Sequence, residues 1–386
     1  MKNSEKYFYI NNEHRKYMGL NLLKDSYELI KFKKYFHEYY VFFDNNKIVK
    51  IIEYSLMPKS ISIHESDVDY NTTNNKTILL PKTPRGKERK LTWSVIKNLE
   101  GYGNYFFLLK EKNKEGRVTI ANYTTQRTFY EKKITTNIKS FEDIKKWCDN
   151  FVKKSSAKDL KEIQEFAKAK RQHINYQEGD YFRVKLGKNE YTYGRILMDV
   201  FKRQKKGLKY WHILMGRPLI IEIFHILTTN DKVSIEELEN LSTFPSQHIL
   251  DNNFYYGDYQ IIGNKELPKI KKYPIMYGKS ISGTNPNKIC FQCGEIYKEI
   301  EYTKNNLIQK KNQTIVNDFK RNSIGFCLDV DAKIIKKCIY EKSNDNFWKF
   351  QKSYSDWDLR SPNNKEYLKK VLKQFDLDYL YTIYND

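Results

Sequence analysis

The amino-acid sequence predicts an α+β fold, with two β-rich domains joined by amphipathic helices and a helix at the C-terminal end. Three observations support this prediction. Residues 179–197 alternate apolar and polar side chains around a Gly-Lys-Asn turn, residues 140–168 hold two segments of helical periodicity, and an apolar stripe recurs at helical spacing after residue 361. Alternation indicates a strand, whereas recurrence every three or four residues indicates a helix.

The first part of the chain is rich in strand signals. Two apolar runs, at 39–43 and 48–52, flank an Asp-Asn-Asn turn, which is typical of a β-hairpin. Further strands are predicted at 77–80, 105–109 and 118–121. The N-terminal domain should therefore be built on a sheet.

Two helices follow these strands. Ser140 is predicted to begin the first, because Asp143 stands three residues later, at the second position of a capping box. The apolar side chains of one face recur at Phe141, Ile144, Trp147, Cys148, Phe151 and Val152, and those of a second helix at Leu160, Ile163, Phe166 and Ala167. We place the domain boundary after the second helix, so that the predicted domains are residues 1–170 and 171–386.

The second domain opens with the hairpin of residues 179–197. Phe182, Val184 and Leu186 fall on one face of its first strand, and Tyr181, Arg183 and Lys185 fall on the other. A short helix is predicted to begin at Ser234 with Glu237 completing a capping box, and strands are predicted at 219–226, 259–262 and 289–297. The C-terminal helix carries Tyr367, Leu368, Val371, Leu372 and Phe375 as its apolar stripe.

The composition favours an acidic partner and a reduced compartment. The 386 residues include 69 Lys plus Arg against 47 Asp plus Glu, a net charge of +22. Such an excess fits nucleic acid or an acidic protein face, and it fits equally the Lys, Asn, Ile and Tyr bias of AT-rich coding. The sequence has no long uncharged apolar run and no signal-peptide pattern, and its five cysteines do not suggest a disulfide scaffold. We therefore expect a cytoplasmic protein without a membrane span.

The densest basic cluster lies in residues 82–90. Its cations are Lys82, Arg85, Lys87, Arg89 and Lys90, and its Pro and Gly favour a loop. Phosphate oxygens or acidic side chains would bind such a loop, although a solvated turn between strands has the same composition. Aromatic residues that follow it, Tyr102, Tyr105, Tyr123 and Phe129, could stack on bases or could belong to the core.

The sequence predicts no catalytic residue, no metal and no cofactor. Cys290 and Cys293 form a C-x-x-C, but the remaining candidates for a second ligand pair, Cys327, Cys338 and His248, have the wrong spacing for zinc. On a strand, two cysteines three apart point to opposite faces, which suits packing. The seven histidines form no close pair, although folding could gather His212, His225, His248 and Asp258 into a metal site. These observations favour a protein that is not an enzyme.

Several segments of the second half, taken in order, resemble a known bacterial family. They are 179–197, then MGRPLII at 215–221, LSTFPSQHILDN at 241–252, YGDYQIIGN at 256–264, YPIMYG at 273–278 and WDLRSPNN at 357–364. Together they resemble the immunity protein 26, or phosphotriesterase HocA-like, family over roughly residues 175–386. The resemblance leaves the N-terminal half unassigned.

This resemblance implies an immunity protein of an interbacterial competition system, which binds and neutralises a cognate polymorphic toxin by stoichiometric inhibition. We expect an exposed face rich in Tyr and Lys/Arg to bind the toxin, because these residue types are frequent interface hot spots. The candidate partner-binding residues are those of the basic loop, Lys82, Arg85, Lys87, Arg89 and Lys90, together with Tyr181, Arg183, Tyr193, Arg195, Tyr256 and Asp258. The oligomeric state stays open.

Two other functions stay open as well. A nucleic-acid-binding protein of a bacterial defence system would show a continuous basic groove with exposed aromatic residues. A metal-dependent organophosphate (phosphotriester) hydrolase, which the second part of the family name implies, would show clustered histidines and carboxylates.

Overall fold

The computed structural model of the protein describes residues 9–206, 216–279, 287–303, 332–341, 343–350 and 358–385. The chain divides into two compact units, which we call unit 1 (Met1–His173) and unit 2 (Ile174–Asp386). Antiparallel sheets combine with helices in both units, which confirms the predicted α+β class. Within the described residues, no helix is both long enough and apolar enough to cross a bilayer.

Unit 1 is built on an antiparallel sheet in which seven described strands follow the order β1-β2-β3-β4-β7-β8-β9. The predicted hairpin of residues 39–52 is confirmed, because β2 and β3 pair antiparallel and end with Asp44 opposite Lys47. The strands are β1 Glu28–Lys34, β2 His37–Asp44, β3 Lys47–Met57, β4 Ser60–Asn71, β7 Asn104–Glu111, β8 Gly116–Asn122 and β9 Arg127–Ile134, with β5 Ile78–Leu79 and β6 Arg89–Lys90 as a separate ribbon.

The helices of unit 1 complete its core. The predicted capping box is confirmed: the Ser140 side chain accepts from the Asp143 backbone N–H, and Asp143 reaches back to Ser140. The apolar faces of the two predicted helices bury Ile144, Cys148, Phe151, Ile163 and Phe166 in one cluster with sheet residues. The helices are α1 Asn12–Met18, α2 Trp93–Lys97, α3 Phe141–Lys153 and α4 Ala157–Lys168.

Four charged side chains lie inside unit 1, between α1 and the sheet. Arg15 of α1 donates from Nε and Nη2 to the two Glu65 oxygens, at 2.7 and 3.0 Å. The Lys50 ammonium lies 2.8 Å from Glu65 Oε1 and 2.6 Å from Asp67 Oδ1. Each of the four residues is less than 5% exposed. Burial alone would raise the pKa of Glu65, but Arg15 and Lys50 outweigh it and lower that pKa to about 2.

Unit 2 contains two antiparallel sheets, ordered β13-β12-β11-β10-β14 and β15-β16-β17 among the described strands. The predicted hairpin is confirmed by the pairing of β10 with β11, in which Tyr181 lies opposite Arg195 and Lys185 opposite Tyr191. The strands are β10 Asp180–Lys185, β11 Tyr191–Asp199, β12 Pro218–Ile223, β13 Gln247–Leu250, β14 Gln260–Asn264, β15 Ile275–Lys279, β16 Lys288–Cys293 and β17 Ile296–Glu301.

One predicted strand, 289–297, is in fact two. The strands β16 and β17 pair antiparallel, with Cys293 opposite Ile296, and Gly294 makes the turn at a φ of +55°. A side chain at Gly294 would also meet the Tyr273 ring at 2.4 Å. The positive φ and the close ring explain why the turn uses glycine. In the sequence, the Gly294-Glu295 pair between two apolar segments is the signal of this turn.

The five-stranded sheet of unit 2 is covered on both faces. Phe182 and Val184 pack into one apolar cluster with Phe254, and Tyr181 and Tyr193 pack into another with Phe224 and Leu238. The alternation of residues 181–186 had predicted one covered and one exposed face. The second cover comes from Phe224 and from Leu238, which lie far along the chain.

The helices of unit 2 include two that the sequence predicted. The Ser234 side chain accepts from the Glu237 backbone N–H and the capping box is complete. The C-terminal stripe is also confirmed, since Leu368, Val371, Leu372 and Phe375 pack with Tyr277 and Phe291. The helices are α5 Val200–Lys205, α6 Ile235–Glu239, α7 Asn252–Tyr255, α8 Ala332–Glu341, α9 Asp345–Phe350, α10 Lys365–Gln374 and α11 Leu380–Asn385, with a 3-10 helix at Pro362–Asn364.

Candidate functional site

The basic loop lies in unit 1, between the short strands β5 and β6. Backbone hydrogen bonds close it, with Thr83 N–H donating to the Lys87 carbonyl at 2.9 Å. Lys82, Arg85, Lys87 and Lys90 are exposed and Arg89 is half-buried. Lys82 lies 3.2 Å from the Glu88 carboxylate, in an exposed ion pair that contributes little to stability. The loop therefore presents its cations to solvent.

The two tyrosines predicted for the partner-binding face are core residues. Tyr181 and Tyr193 are 0% exposed. The Tyr193 hydroxyl donates to the Asn230 carbonyl at 2.9 Å, and the Tyr181 hydroxyl donates to Glu239 Oε1 at 3.2 Å. The expectation of an exposed face was wrong for these two rings, because Phe224 and Leu238 cover the side of the hairpin on which they lie.

The two predicted arginines are held within unit 2. Arg195 donates from Nε to the Glu222 carboxylate and lies 3.2 Å from the Tyr181 hydroxyl. Burial opposes the charged form, but the Glu222 carboxylate outweighs it and raises the pKa of Arg195. Arg183 bonds to Gln260, lies 3.6 Å from an Asp231 carboxylate oxygen and stacks 4.8 Å from the centre of the Tyr191 ring.

Tyr256 and Asp258 lie in the turn that follows α7, and both are half-buried. The ring of Tyr256 packs edge-on against Tyr255, with 5.1 Å between the ring centres. The structure thus brings Tyr181, Arg183, Tyr193 and Arg195 onto one face of the β10–β11 hairpin, but Phe224 and Leu238 pack on that face, and Tyr256 and Asp258 lie in a separate turn. Arg183, Tyr256 and Asp258 keep partial access to solvent, whereas the tyrosines of β10 and β11 do not.

Unit 1 carries an exposed apolar surface that the sequence analysis missed. We call it the apolar end surface: Tyr35, Phe36, Leu56 and Met57, which are 80%, 54%, 53% and 40% exposed. Leu56 N–H donates to the Phe36 carbonyl at 3.1 Å, so these two residues are cross-strand neighbours beyond the β2–β3 ladder. Large exposed apolar residues that cluster in this way are typical of binding sites.

The turn that displays Tyr35 and Phe36 departs from ordinary hairpin chemistry. Lys34 pairs with His37, which leaves the two aromatic residues as a two-residue loop. Tyr35 has a φ of +53°, in the left-handed region where Gly or Asn is preferred. Local rules that are broken without a packing gain often mark functional positions. In the sequence, the sign of this surface is the Tyr-Phe pair between Lys34 and His37, at positions where a two-residue hairpin loop usually has Gly or Asn.

Lysines surround the apolar end surface. Lys33, Lys34 and Lys59 are exposed next to it, and Lys112 N–H donates to the Lys59 carbonyl at 2.8 Å, which brings the β7–β8 turn to the same end of the sheet. Neighbouring carboxylates compensate only part of this positive charge. The Lys33 ammonium, for example, lies 2.9 Å from the Glu38 carboxylate. An apolar centre with a cationic rim fits a partner that has an apolar pocket with an acidic rim.

Unit 2 contains a cavity of about 540 Å³. The residues of its wall include Lys272 and Lys365, and its charged residues Glu222 and Arg360 are paired with Arg195 and Asp358. The lining hydroxyl-bearing residues are Ser242, Thr243, Ser246, Ser361 and Tyr384. A wall that is half polar and carries two exposed lysines suits a small anionic molecule.

The described residues contain no group of three or more His, Cys, Asp or Glu side chains that could hold a metal ion. Cys290 and Cys293 lie on β16 and point into different apolar clusters, as the strand interpretation predicted. His225 bonds to Ser242 and Asn344. The candidates His212 and Cys327 lie outside the described residues, as does Trp357 of the last family-like segment.

Part of unit 2 is similar to a known protein family. Residues 177–290 match the family model of Immunity protein 26. No curated protein and no solved structure matches the chain. The matched segment begins just before β10 and ends within β16, so it includes the five-stranded sheet and all the predicted partner-binding residues of unit 2. Over residues 177–290 the chain is therefore similar to the Immunity protein 26 family, as its sequence predicted for this segment. The predicted resemblance extended to residue 386, and residues 1–176 and 291–386 lie outside the match.

Proposed function

We propose that this protein is a cytoplasmic immunity protein that binds a cognate bacterial polymorphic toxin and neutralises it by stoichiometric inhibition. The observation that carries the proposal is the match of residues 177–290 to Immunity protein 26. Inhibition by binding needs a surface and no catalytic group, and unit 1 offers such a surface.

The apolar end surface is the proposed docking site. Its four apolar side chains supply the desolvated centre that interface hot spots require, and the surrounding lysines supply the polar rim. The net charge of +22 would accelerate encounter with an acidic toxin face at low salt. The same charge disfavours direct mimicry of nucleic acid in the cleft of a nuclease toxin, since both surfaces would be basic.

The first test is capture of the partner. Tagged full-length protein is recovered from nuclease-treated lysate of the native cells and its companions are identified by mass spectrometry. The proposal expects one stoichiometric protein encoded by the neighbouring gene, and co-expression should rescue growth of cells that produce that protein. Absence of a protein partner, with nucleic acid recovered when the nuclease is omitted, would contradict the proposal.

The second test locates the interface. The double variant Phe36→Ser/Leu56→Ser should lower the affinity for the captured toxin at least about 100-fold, because two hot-spot residues of 2 kcal/mol or more each are removed. The matched control is Ile270→Ser/Tyr379→Ser, which removes two apolar side chains of similar exposure, 67% and 59%, from unit 2. If the two double variants bind the toxin with equal affinity, the apolar end surface is not the interface.

The exposed basic loop supports a second candidate function, binding of nucleic acid. Its four exposed cations would contact phosphates and would make the affinity fall steeply with salt. Charge reversal of Lys82, Arg85 and Lys87 should then abolish retention of single-stranded DNA. Unchanged retention would remove this candidate.

A further inference from the structure

Three polar side chains form a hydrogen-bonded array beside the cavity of unit 2. Ser242 Oγ lies 2.7 Å from His225 Nδ1, and His225 Nε2 lies 2.8 Å from Asn344 Oδ1. The Asn344 amide nitrogen donates to the Thr243 carbonyl at 3.1 Å. These residues are brought together from the segment after β12, the segment before β13 and the residue that precedes α9.

The hydrogen bonds determine which histidine nitrogen carries the proton. Since the Asn344 NH₂ group faces a carbonyl, its Oδ1 faces His225 and must accept a hydrogen bond from the Nε2–H. Nδ1 of neutral His225 is then unprotonated and accepts the hydroxyl proton of Ser242. A hydroxyl aimed at the free nitrogen of an oriented imidazole is the arrangement that activates a serine nucleophile.

The surroundings keep the imidazole neutral and in place. His225 is 8% exposed, and the Phe244 ring packs edge-on against it, with 4.3 Å between the ring centres. Burial lowers the pKa of His225, against a smaller opposing effect of the Asn344 hydrogen bond. The base form is therefore present at neutral pH.

Ser242, in contrast, is accessible. It is exposed, and together with Asn344 it lines the cavity of about 540 Å³, a volume within the usual range of small-molecule sites. Lys272 and Lys365 of the same wall would attract a substrate that carries a carboxylate or phosphate.

We propose that Ser242 is the nucleophile of an acyl-transfer site that hydrolyses small anionic carboxylic esters, with His225 as general base and Asn344 as positioning residue. Ser242 Oγ bonds to the ester carbonyl carbon as its proton passes to His225 Nδ1. The ester C–O bond then breaks, and that proton leaves with the alcohol. Water repeats the sequence on the acyl-serine, which releases the carboxylic acid and restores Ser242. The activity goes beyond toxin binding and does not depend on it.

The test uses full-length protein and a fluorophosphonate probe, which phosphonylates activated serines. One adduct per chain is expected, located at Ser242 by peptide mass spectrometry and absent from Ser242→Ala. The matched control is Ser94→Ala, which removes an exposed serine from unit 1 and should label normally. No adduct at Ser242 in the native protein would overturn the proposal.

Two further variants separate activation from mere exposure. His225→Gln should lower the labelling rate at least 100-fold, with thermal melting used to confirm that the variant is folded. Asn344→Asp should keep labelling but move the pH at which the rate is half-maximal upwards, because a carboxylate beside the imidazole raises the histidine pKa. A labelling rate that is independent of His225, or a pH profile that is unmoved in Asn344→Asp, would show that Ser242 is not activated by this array.

Discussion

The charged cluster between α1 and the sheet of unit 1 and the Arg195–Glu222 pair of unit 2 are shielded from solvent to different degrees. In unit 1, Arg15, Lys50, Glu65 and Asp67 are enclosed, and every one of them is less than 5% exposed. In unit 2, the side chains of Arg195 and Glu222 are 14% and 10% exposed, and Glu222 reaches the wall of the cavity. The Arg15–Glu65 pair attaches α1 to the sheet, whereas Glu222 lies in the wall of a cavity that a ligand could enter.

The comparison also concerns apolar side chains. Unit 1 buries the cluster formed by Arg15, Lys50, Glu65 and Asp67 but exposes the rings of Tyr35 and Phe36 at a turn. Unit 2 buries the rings of Tyr181 and Tyr193 and contains the cavity of about 540 Å³. A binding surface is therefore better sought in unit 1 and a small-molecule site in unit 2. The following predictions test this division, from the largest effect to the smallest.

Glu65→Gln should lower the free energy of unfolding of unit 1 by about 3–5 kcal/mol, because it leaves the buried Arg15 without a carboxylate and Lys50 with Asp67 alone. Urea denaturation followed by tryptophan fluorescence measures the change. The control is Glu111→Gln, which removes an exposed partner of Lys114 and should cost less than about 1 kcal/mol. Equal costs for the two variants would contradict the enclosed-cluster interpretation.

Acidification should destabilise unit 1 through the same carboxylate. The pKa of Glu65 is lowered to about 2, below its ordinary value of 4.5, so its contribution is complete above pH 4.5 and is lost as the pH falls towards 2. The loss should be about 3 kcal/mol across that window. Denaturation series at pH 6, 4 and 3 measure it, and the Glu65→Gln variant should lack this part of the pH dependence.

Glu222→Gln should cost unit 2 less, about 1–3 kcal/mol, because water can reach part of the guanidinium that remains. The Thr243 hydroxyl, which donates to Glu222 Oε2 at 3.1 Å, keeps an acceptor in the variant. Thermal melting measures the change. A loss as large as that of Glu65→Gln would mean that the two ion pairs are equally enclosed.

The capping boxes should contribute about equally in the two units. Ser140→Ala and Ser234→Ala each remove a side chain that accepts a backbone N–H, and each should cost about 1 kcal/mol. Local hydrogen exchange at the first turns of α3 and α6 measures the effect. Replacement by Gly should cost only a few tenths of a kcal/mol, and a Gly variant as unstable as the Ala variant would argue against capping.

Tyr35→Asn should slightly stabilise unit 1, by about 0.5 kcal/mol, since asparagine tolerates a φ of +53° better than tyrosine does. The same variant should bind the toxin more weakly. A gain in stability with a loss of binding is what a residue retained for function should show. If Tyr35→Asn destabilises the protein, the ring has a packing role instead.

The sequence predicted what depends on neighbouring residues. The β10–β11 hairpin and the Ser140 and Ser234 capping boxes arise from local spacing, and all three were confirmed. The burial of Tyr181 depends on Phe224 and Leu238, so alternation alone could not reveal it. Similarly, 119 residues separate His225 from Asn344, and no spacing rule connects them. The apolar end surface was missed because Leu56 and Met57 join Tyr35 and Phe36 only through the pairing of β2 with β3, about 20 residues away along the chain.

The placement of Cys290 and Cys293 on opposite faces of β16 has a practical consequence. One thiol packs with Met276 and Leu197, while the other faces Tyr384, whose hydroxyl lies 3.0 Å from its sulfur. Burial also raises the pKa of the Cys293 thiol to about 11, which keeps it protonated and a poor nucleophile. In redox enzymes a C-x-x-C motif acts as a two-electron couple, but in this protein the two thiols of the motif are unreactive. Exposure of the protein to air without reductant should leave both Cys290 and Cys293 as thiols.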